Sequence, residues 1–124
     1  MDNFFQGNES EEQQTLFQWA EMMSRRHPQL SLLYHIPNGG ARNKGTAGRL
    51  KAEGVKSGVP DICLPVAKGR FHGLYIEMKV GKNKPTANQI KWIDSLLSEG
   101  YQAKVCYGWQ EAVKVIEDYL TEKE

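Results

Sequence analysis

The sequence has 124 residues, enough to bury one core and too few for two. Hydrophobic residues make up 40% and charged residues 25%, which excludes a disordered chain, and no apolar run approaches the roughly 18 residues that span a bilayer. The net charge is only +1, so total charge says nothing about a nucleic-acid partner. The opening segment, residues 1–14, is acidic and polar and lacks the basic start and apolar stretch of a secretory signal, which points to the cytoplasm.

Taken in chain order, residues 9–26 read as a first helix. Leu16, Phe17, Ala20 and Met23 recur at helical spacing, with Asn8 or Ser10 as its cap. His27-Pro28 ends it, because proline disfavours helix in the residue before it. Residues 30–36 form an apolar strand candidate, stopped by the turn cluster Pro37-Asn38-Gly39-Gly40. A short helix over 46–53 follows, with Thr46 as cap and Gly54 as stop. Residues 61–66 and 74–80 read as two strands joined by a loop containing Gly69 and Gly73.

A helix over 87–99 comes next. Thr86 and Gln89 make a T-x-x-Q capping box, Pro85 precedes it and Gly100 closes it. Its apolar positions Ile90, Ile93, Leu96 and Leu97 give one face. A strand over 102–107 and a helix over 110–120 complete the chain, the helix turning Ala112, Val113, Ile116 and Leu120 inward. The order α-β-β-β-α-β-α predicts an α/β domain, one mixed sheet flanked by helices. Cys63 and Cys106 each sit in an apolar stretch, outside any zinc pattern, and read as buried strand residues. Trp19, Trp92 and Trp109 lie on or beside apolar helical stretches and read as core or interface packing.

Charge is unevenly distributed. From Arg42 to Lys91 there are eleven basic residues and three acids, Glu53, Asp61 and Glu77, whereas the first 21 residues hold five acids and no Lys or Arg. Arg42, Lys44, Arg49, Lys51 and Lys56 follow the Gly-Gly turn, where they either grip phosphates or form a solvated surface. His35, just before the turn, is either a structural strand residue or a phosphate contact.

The few acids in this basic stretch carry the chemistry. A hairpin centred on Gly69 pairs Asp61 with Glu77. Strand alternation then sets Glu77 and Lys79 on one face and Ile76, Met78 and Val80 on the other. Two carboxylates and an ammonium collect on a single face. Asp61 and Glu77, with the Met78 carbonyl, suit Mg²⁺ or Mn²⁺, hard cations that take oxygen ligands. Such an ion prepares a water for attack on a phosphodiester. Lys79 orients or deprotonates that water, or stabilises the charge of the transition state. An E-x-K alone is more often a salt-bridged surface pair; the conjunction with Pro60-Asp61 at hairpin distance is what singles it out.

Asn38-Gly39-Gly40, then Arg49-Leu50-Lys51-Ala52-Glu53-Gly54-Val55-Lys56-Ser57-Gly58-Val59-Pro60-Asp61, Ile76-Glu77-Met78-Lys79 and Gln89 resemble the VRR-NUC domain. That is the virus-type replication-repair nuclease group of the PD-(D/E)XK superfamily. The resemblance spans nearly the whole chain. It implies a restriction-endonuclease-like αβββαβ core and a metal-dependent endonuclease acting on DNA. It implies metal-binding roles for Asp61 and Glu77, a catalytic role for Lys79, and a Gln89 that reaches the site. The capping box is the competing reading of Gln89. The family's first-helix glutamate, four residues before a glutamine, falls on Glu9 with Gln13, and Glu12 is the second candidate. The resemblance also implies a homodimer that cuts branched DNA such as four-way (Holliday) junctions, with no small-molecule cofactor. A flap, nicking or restriction-type nuclease, or a non-catalytic DNA-binding module of the same fold, are the other readings.

Overall fold

Alternation along residues 74–79 sorts the chain into two layers. Leu74, Ile76 and Met78 are buried against helices on one face of a sheet, while Tyr75, Glu77 and Lys79 lie on the other. The computed structural model describes residues 6–37 and 44–121, and of Lys44 only the backbone. The Asn38-Gly39-Gly40 turn and Arg42 lie outside the described residues.

The helices are α1 (Glu9–Met23), α2 (Lys44–Ala52), α3 (Ala87–Ser98) and α4 (Trp109–Leu120). The strands are β1 (Tyr34–His35), β2 (Ile62–Leu64), β3 (Leu74–Lys79) and β4 (Gln102–Tyr107), in the spatial order β1-β2-β3-β4. The first three pair antiparallel. β4 runs parallel to β3 and is reached by the α3 crossover. The expected mixed sheet flanked by helices is therefore present. α1 and α4 pack on one face through Leu16, Ala20, Ala112, Ile116 and Leu120, against Ile62, Leu64, Ile76, Met78 and Cys106. Cys63 and Cys106 are buried free thiols, as expected of strand cysteines.

The helix ends follow their sequence signals. Asn8 and Glu11 form a reciprocal capping box on α1, and Thr86 and Gln89 form one on α3. Gly54 and Gly100 adopt positive φ and close α2 and α3. In each, the glycine N–H and the following N–H turn back to the last helical carbonyls, a Schellman arrangement.

Several features differ from expectation, among them the strand expected over 61–66, which spans only Ile62–Leu64. α1 ends at Met23, three residues early, in a turn before His27-Pro28. Residues 30–36 are not a strand. A 3-10 helix takes Pro28–Leu32, and only Tyr34–His35 pair with β2. The reason is period: Leu30 and Leu33, three apart, are buried while Leu32 is 51% exposed, which suits three residues per turn and not two. α2 starts at Lys44, so Thr46 lies inside it and is no cap. Finally, α3 does not bury all of its apolar face. Leu96 is buried and Ile93 half-buried, but Ile90 and Leu97 stay 48% and 44% exposed.

Candidate active site

The hairpin arithmetic places the site. Ile62 pairs with Ile76 and Leu64 with Leu74, a register symmetric about Gly69 that continues to Asp61 opposite Glu77. Asp61 lies just before β2, and its backbone is fixed from the β1 side. Its carbonyl accepts the Ile36 N–H at 2.6 Å and His35 Nδ1 at 2.8 Å. A carbonyl only accepts, so Nδ1 of His35 carries the proton. His35 thus anchors the loop that carries Asp61, a role its place in the sequence did not reveal.

The Asp61 side chain turns across to β3, where Oδ2 accepts the Met78 N–H at 2.8 Å. N–H and C=O of one strand residue point to the same side, so the Met78 carbonyl also faces the Asp61 side. The same register sets Pro60 opposite Met78, and proline has no N–H to offer that carbonyl. The ladder stops where an oxygen is left aimed at the carboxylates.

Glu77 is 2% exposed on a strand flanked on both sides. Its Oε2 accepts Gln89 Nε2 at 3.1 Å and lies 3.7 Å from Lys79 Nζ, itself buried. Its Oε1 is buried with no hydrogen-bond partner. Burial is the main cause that raises its carboxyl to about 8; the neighbouring Asp61 charge adds to this, and Lys79 pulls the other way.

A buried carboxylate oxygen without a partner, beside a second carboxylate, is a poor arrangement in itself and a suitable one for a divalent cation. Among the described residues no three His, Cys, Asp or Glu side chains form a metal-holding group. The protein therefore offers two carboxylates and a carbonyl, and water would complete the shell, as magnesium commonly requires.

Gln89 does both things proposed for it. Its Oε1 accepts the Thr86 N–H as the capping-box partner while its Nε2 donates to Glu77. The approach of α3 depends on Gly58. This glycine has φ +89°, and a Cβ there would sit 2.8 Å from Asn88 Cβ and 2.9 Å from the Asn88 carbonyl oxygen. Asn88 in turn donates to Ser57 Oγ, binding the loop before Asp61 to the start of α3.

The two first-helix acids separate. Glu12 is buried, and both its oxygens are used: Oε2 accepts the Gly7 N–H and Oε1 the Trp109 N–H. Trp109 begins α4, whose N-cap Gly108 has no side chain, so Glu12 caps that helix from outside. Glu9 is half-buried, and its charge reaches Glu77 and helps raise it, although it does not complete a three-acid group.

Of the basic residues, Lys51 and Lys56 are exposed, and Arg49 pairs with Glu53 at 3.4 Å on an exposed helix face. Arg42 and the Lys44 side chain lie outside the described residues. Trp19 and Trp109 pack half-buried against the core, and Trp92 lines a cleft on α3 with Asn88, Lys91 and Ser95.

The sequence matches the VRR-NUC domain model over residues 8–110. The chain belongs to the VRR-NUC family. A solved VRR-NUC domain protein is similar in structure, with a TM-score of 0.80 and 32% sequence identity, covering 93% of this chain and 89% of that one. No protein of curated function matches. The VRR-NUC domain has a nuclease-type, DNA-processing fold, and DNA is accordingly its partner. Among the described residues no helix is long and apolar enough to cross a membrane.

Proposed function

We propose that this VRR-NUC domain is a metal-dependent DNA endonuclease that hydrolyses phosphodiester bonds at branched DNA such as four-way junctions. The observation that carries the reading is Glu77: a buried carboxylate with one oxygen unpartnered, opposite Asp61 in the hairpin register and paired with Lys79. Asp61, Glu77 and the Met78 carbonyl would hold Mg²⁺ or Mn²⁺, with Glu9 as the nearby further acid. When bound, the ion supplies a water of lowered pKa and charge for the scissile phosphate.

The protein's own groups do the positioning. Gln89 holds the Glu77 carboxylate through Oε2 and leaves Oε1 for the ion. The Met78 N–H fixes Asp61 Oδ2 in the same way. Lys79 projects from the same strand face two residues on. Its ammonium orients the attacking water and meets the negative charge that grows on the phosphoryl oxygens. Water attacks phosphorus, the P–O bond to the leaving strand breaks, and the leaving oxygen takes up a proton. Lys51 and Lys56, with Arg42 and Lys44, supply phosphate contacts along the DNA.

A homodimer fits this reading, since a two-fold pair carries two such sites for two strands. The exposed Ile90 and Leu97, seven residues apart on α3, give an apolar stripe to such a contact. The test is a panel of labelled duplex, single-stranded, flap and four-way-junction DNAs with Mg²⁺ or with EDTA. Paired, near-symmetric nicks on the junction with Mg²⁺ alone are expected. Equal cutting in EDTA would reject the metal, and cutting confined to flaps would reject the junction.

A further inference from the structure

The sheet face that carries Glu77 and Lys79 continues beyond them. Register sets Tyr34, Cys63, Tyr75 and Ala103 in one row across all four strands, directly opposite one another and so on one face. Alternation puts Tyr75 on the same face as Glu77, two residues back along β3, a distance of about 6.6 Å. This is about the reach of one extended nucleotide.

The row is aromatic and partly open. Tyr34 is 48% exposed although it is a large ring on a strand, and that strand is a two-residue edge. Tyr34 and Tyr75 flank Cys63 in this row, one on each neighbouring strand. Tyr101 stands edge-on to Tyr75 at 5.4 Å between centroids, and His72 edge-on to Tyr101 at 5.5 Å. His72 is exposed, and its ring is seated against Gly100, where a Cβ would lie 2.8 Å from His72 Cδ2. Tyr75, Tyr101 and His72 thus form a chain of ring contacts that begins beside Glu77 and ends in solvent, and Tyr34 stands across Cys63 from Tyr75 at the β1 edge. Among the described residues α3 packs on β4, and Tyr34 and His35 of β1 stay exposed.

Cross-strand aromatic pairs stabilise sheets when they are covered. Here the exposed end of the strip contributes little to a core. Its chemistry suits planar, unpaired bases, which stack on aromatic rings whatever their identity. From this juxtaposition we infer that Tyr34, Tyr75, Tyr101 and His72 form a stacking platform for unpaired nucleotides of the DNA strand whose phosphate lies at Glu77 and Lys79. The platform directs cleavage to positions next to bases that are unpaired or that unpair when a branch point is opened on the protein, and away from continuous duplex, whose bases are already stacked. It rests on the nuclease reading for its orientation but not for its detection.

The experiment uses the whole chain in EDTA, so that DNA is bound and not cut. The probes are a duplex with a short single-stranded tail bearing 2-aminopurine within three nucleotides of the junction, and the same duplex fully paired. Wild type quenches the 2-aminopurine further on binding and prefers the tailed DNA. Tyr34→Ala, at an exposed position, loses most of the quench, and its preference for tailed over paired DNA falls about tenfold. Tyr34→Phe and Tyr75→Phe, which keep the ring and lose only the hydroxyl, retain both. An unchanged quench in Tyr34→Ala, or equal wild-type affinity for the two DNAs, overturns the platform. A protein that cuts DNA with Mg²⁺ but gives no quench overturns the platform and leaves the nuclease standing. One that quenches but cuts nothing with any metal supports the platform and removes the nuclease.

Discussion

Gln89 joins Glu77 to the start of α3: its Nε2 lies 3.1 Å from Glu77 Oε2, and its Oε1 accepts the Thr86 N–H at 2.9 Å. One amide therefore caps a helix and holds a buried carboxylate, and its two ends test separately. Gln89→Glu keeps a cap acceptor at the third helical position but sets a second carboxylate against Glu77. Gln89→Ala loses both contacts. Gln89→Ala is expected to cost about 1 kcal/mol of stability. Gln89→Glu should keep the α3 cap, and both should cut DNA more slowly. Thermal unfolding and single-turnover cleavage, run side by side, check the pair. Full activity in Gln89→Glu would show that the Glu77 contact is incidental.

Asp61→Asn keeps an oxygen to accept the Met78 N–H but removes the charge. It should remain folded and bind Mg²⁺ or Mn²⁺ at least about tenfold more weakly by calorimetric titration. Lys79→Ala should abolish cutting while leaving DNA affinity nearly intact, since one charge among many basic residues changes binding modestly. Glu77→Gln should behave likewise or bind DNA more tightly, because it removes negative charge beside the phosphate. If affinity falls in step with activity, these residues serve binding and not chemistry.

Glu77 makes stability depend on pH. Its carboxyl is raised from 4.5 to about 8 in the folded chain, chiefly by burial. Between those values the folded protein holds a proton that the unfolded chain has released. Without metal, stability is therefore highest below about 4.5 as far as this group is concerned, and falls as pH rises toward 8. A bound cation favours the ionised form and offsets the trend. Melting temperatures from pH 5 to 8.5 in EDTA should decline, those in Mg²⁺ should decline less, and Glu77→Gln should remove this contribution in EDTA. An unaltered slope in Glu77→Gln would assign the effect to another group.

Glu9 and Glu12, one turn apart, should respond in opposite ways. Glu12→Ala leaves the Gly7 and Trp109 N–H groups without their carboxylate and should cost about 1–3 kcal/mol. Glu9→Ala should leave stability nearly unchanged and lower the cleavage rate. Denaturant titration with a cleavage assay separates them, and a stability loss from Glu9→Ala with full activity would exclude Glu9 from the site.

Gly58→Ala tests the contact between the loop before Asp61 and α3. The methyl would meet the Asn88 backbone from a positive-φ position, at a cost of about 2 kcal/mol or more. Activity should fall beyond what the stability loss explains, because Asp61 and Gln89 move apart. Activity that simply tracks the folded fraction would show the loop adapts.

Much of this was readable locally. Caps and glycine stops are set by neighbours within a few residues, so Thr86, Gln89, Gly54 and Gly100 fell where expected. The hairpin symmetric about Gly69 followed from spacing alone and placed Asp61 opposite Glu77. What escaped depends on distant chain. The role of Glu12 is decided by where α4 begins, 97 residues later. That of His35 depends on a carbonyl 26 residues away. Residues 30–36 misled because Leu30, Leu32 and Leu33 satisfy both a period of two and one of three, and only packing chooses between them. The exposed half of α3 misled for a related reason: an apolar face tells what could be buried, not what covers it.

The Gly69 hairpin also dictates where this chain can be lengthened. Its tip closes through paired Lys68 and Phe71 backbones, with Gly69 and Arg70 exposed between them. A tag or linker spliced between those two residues would leave the register of β2 and β3 untouched. One residue added between Tyr75 and Ile76 would instead rotate Glu77 into the apolar layer and bring Ile76 to its place. The same gene thus holds, a few codons apart, a site open to insertion and a stretch in which the reading of every side chain depends on an even count.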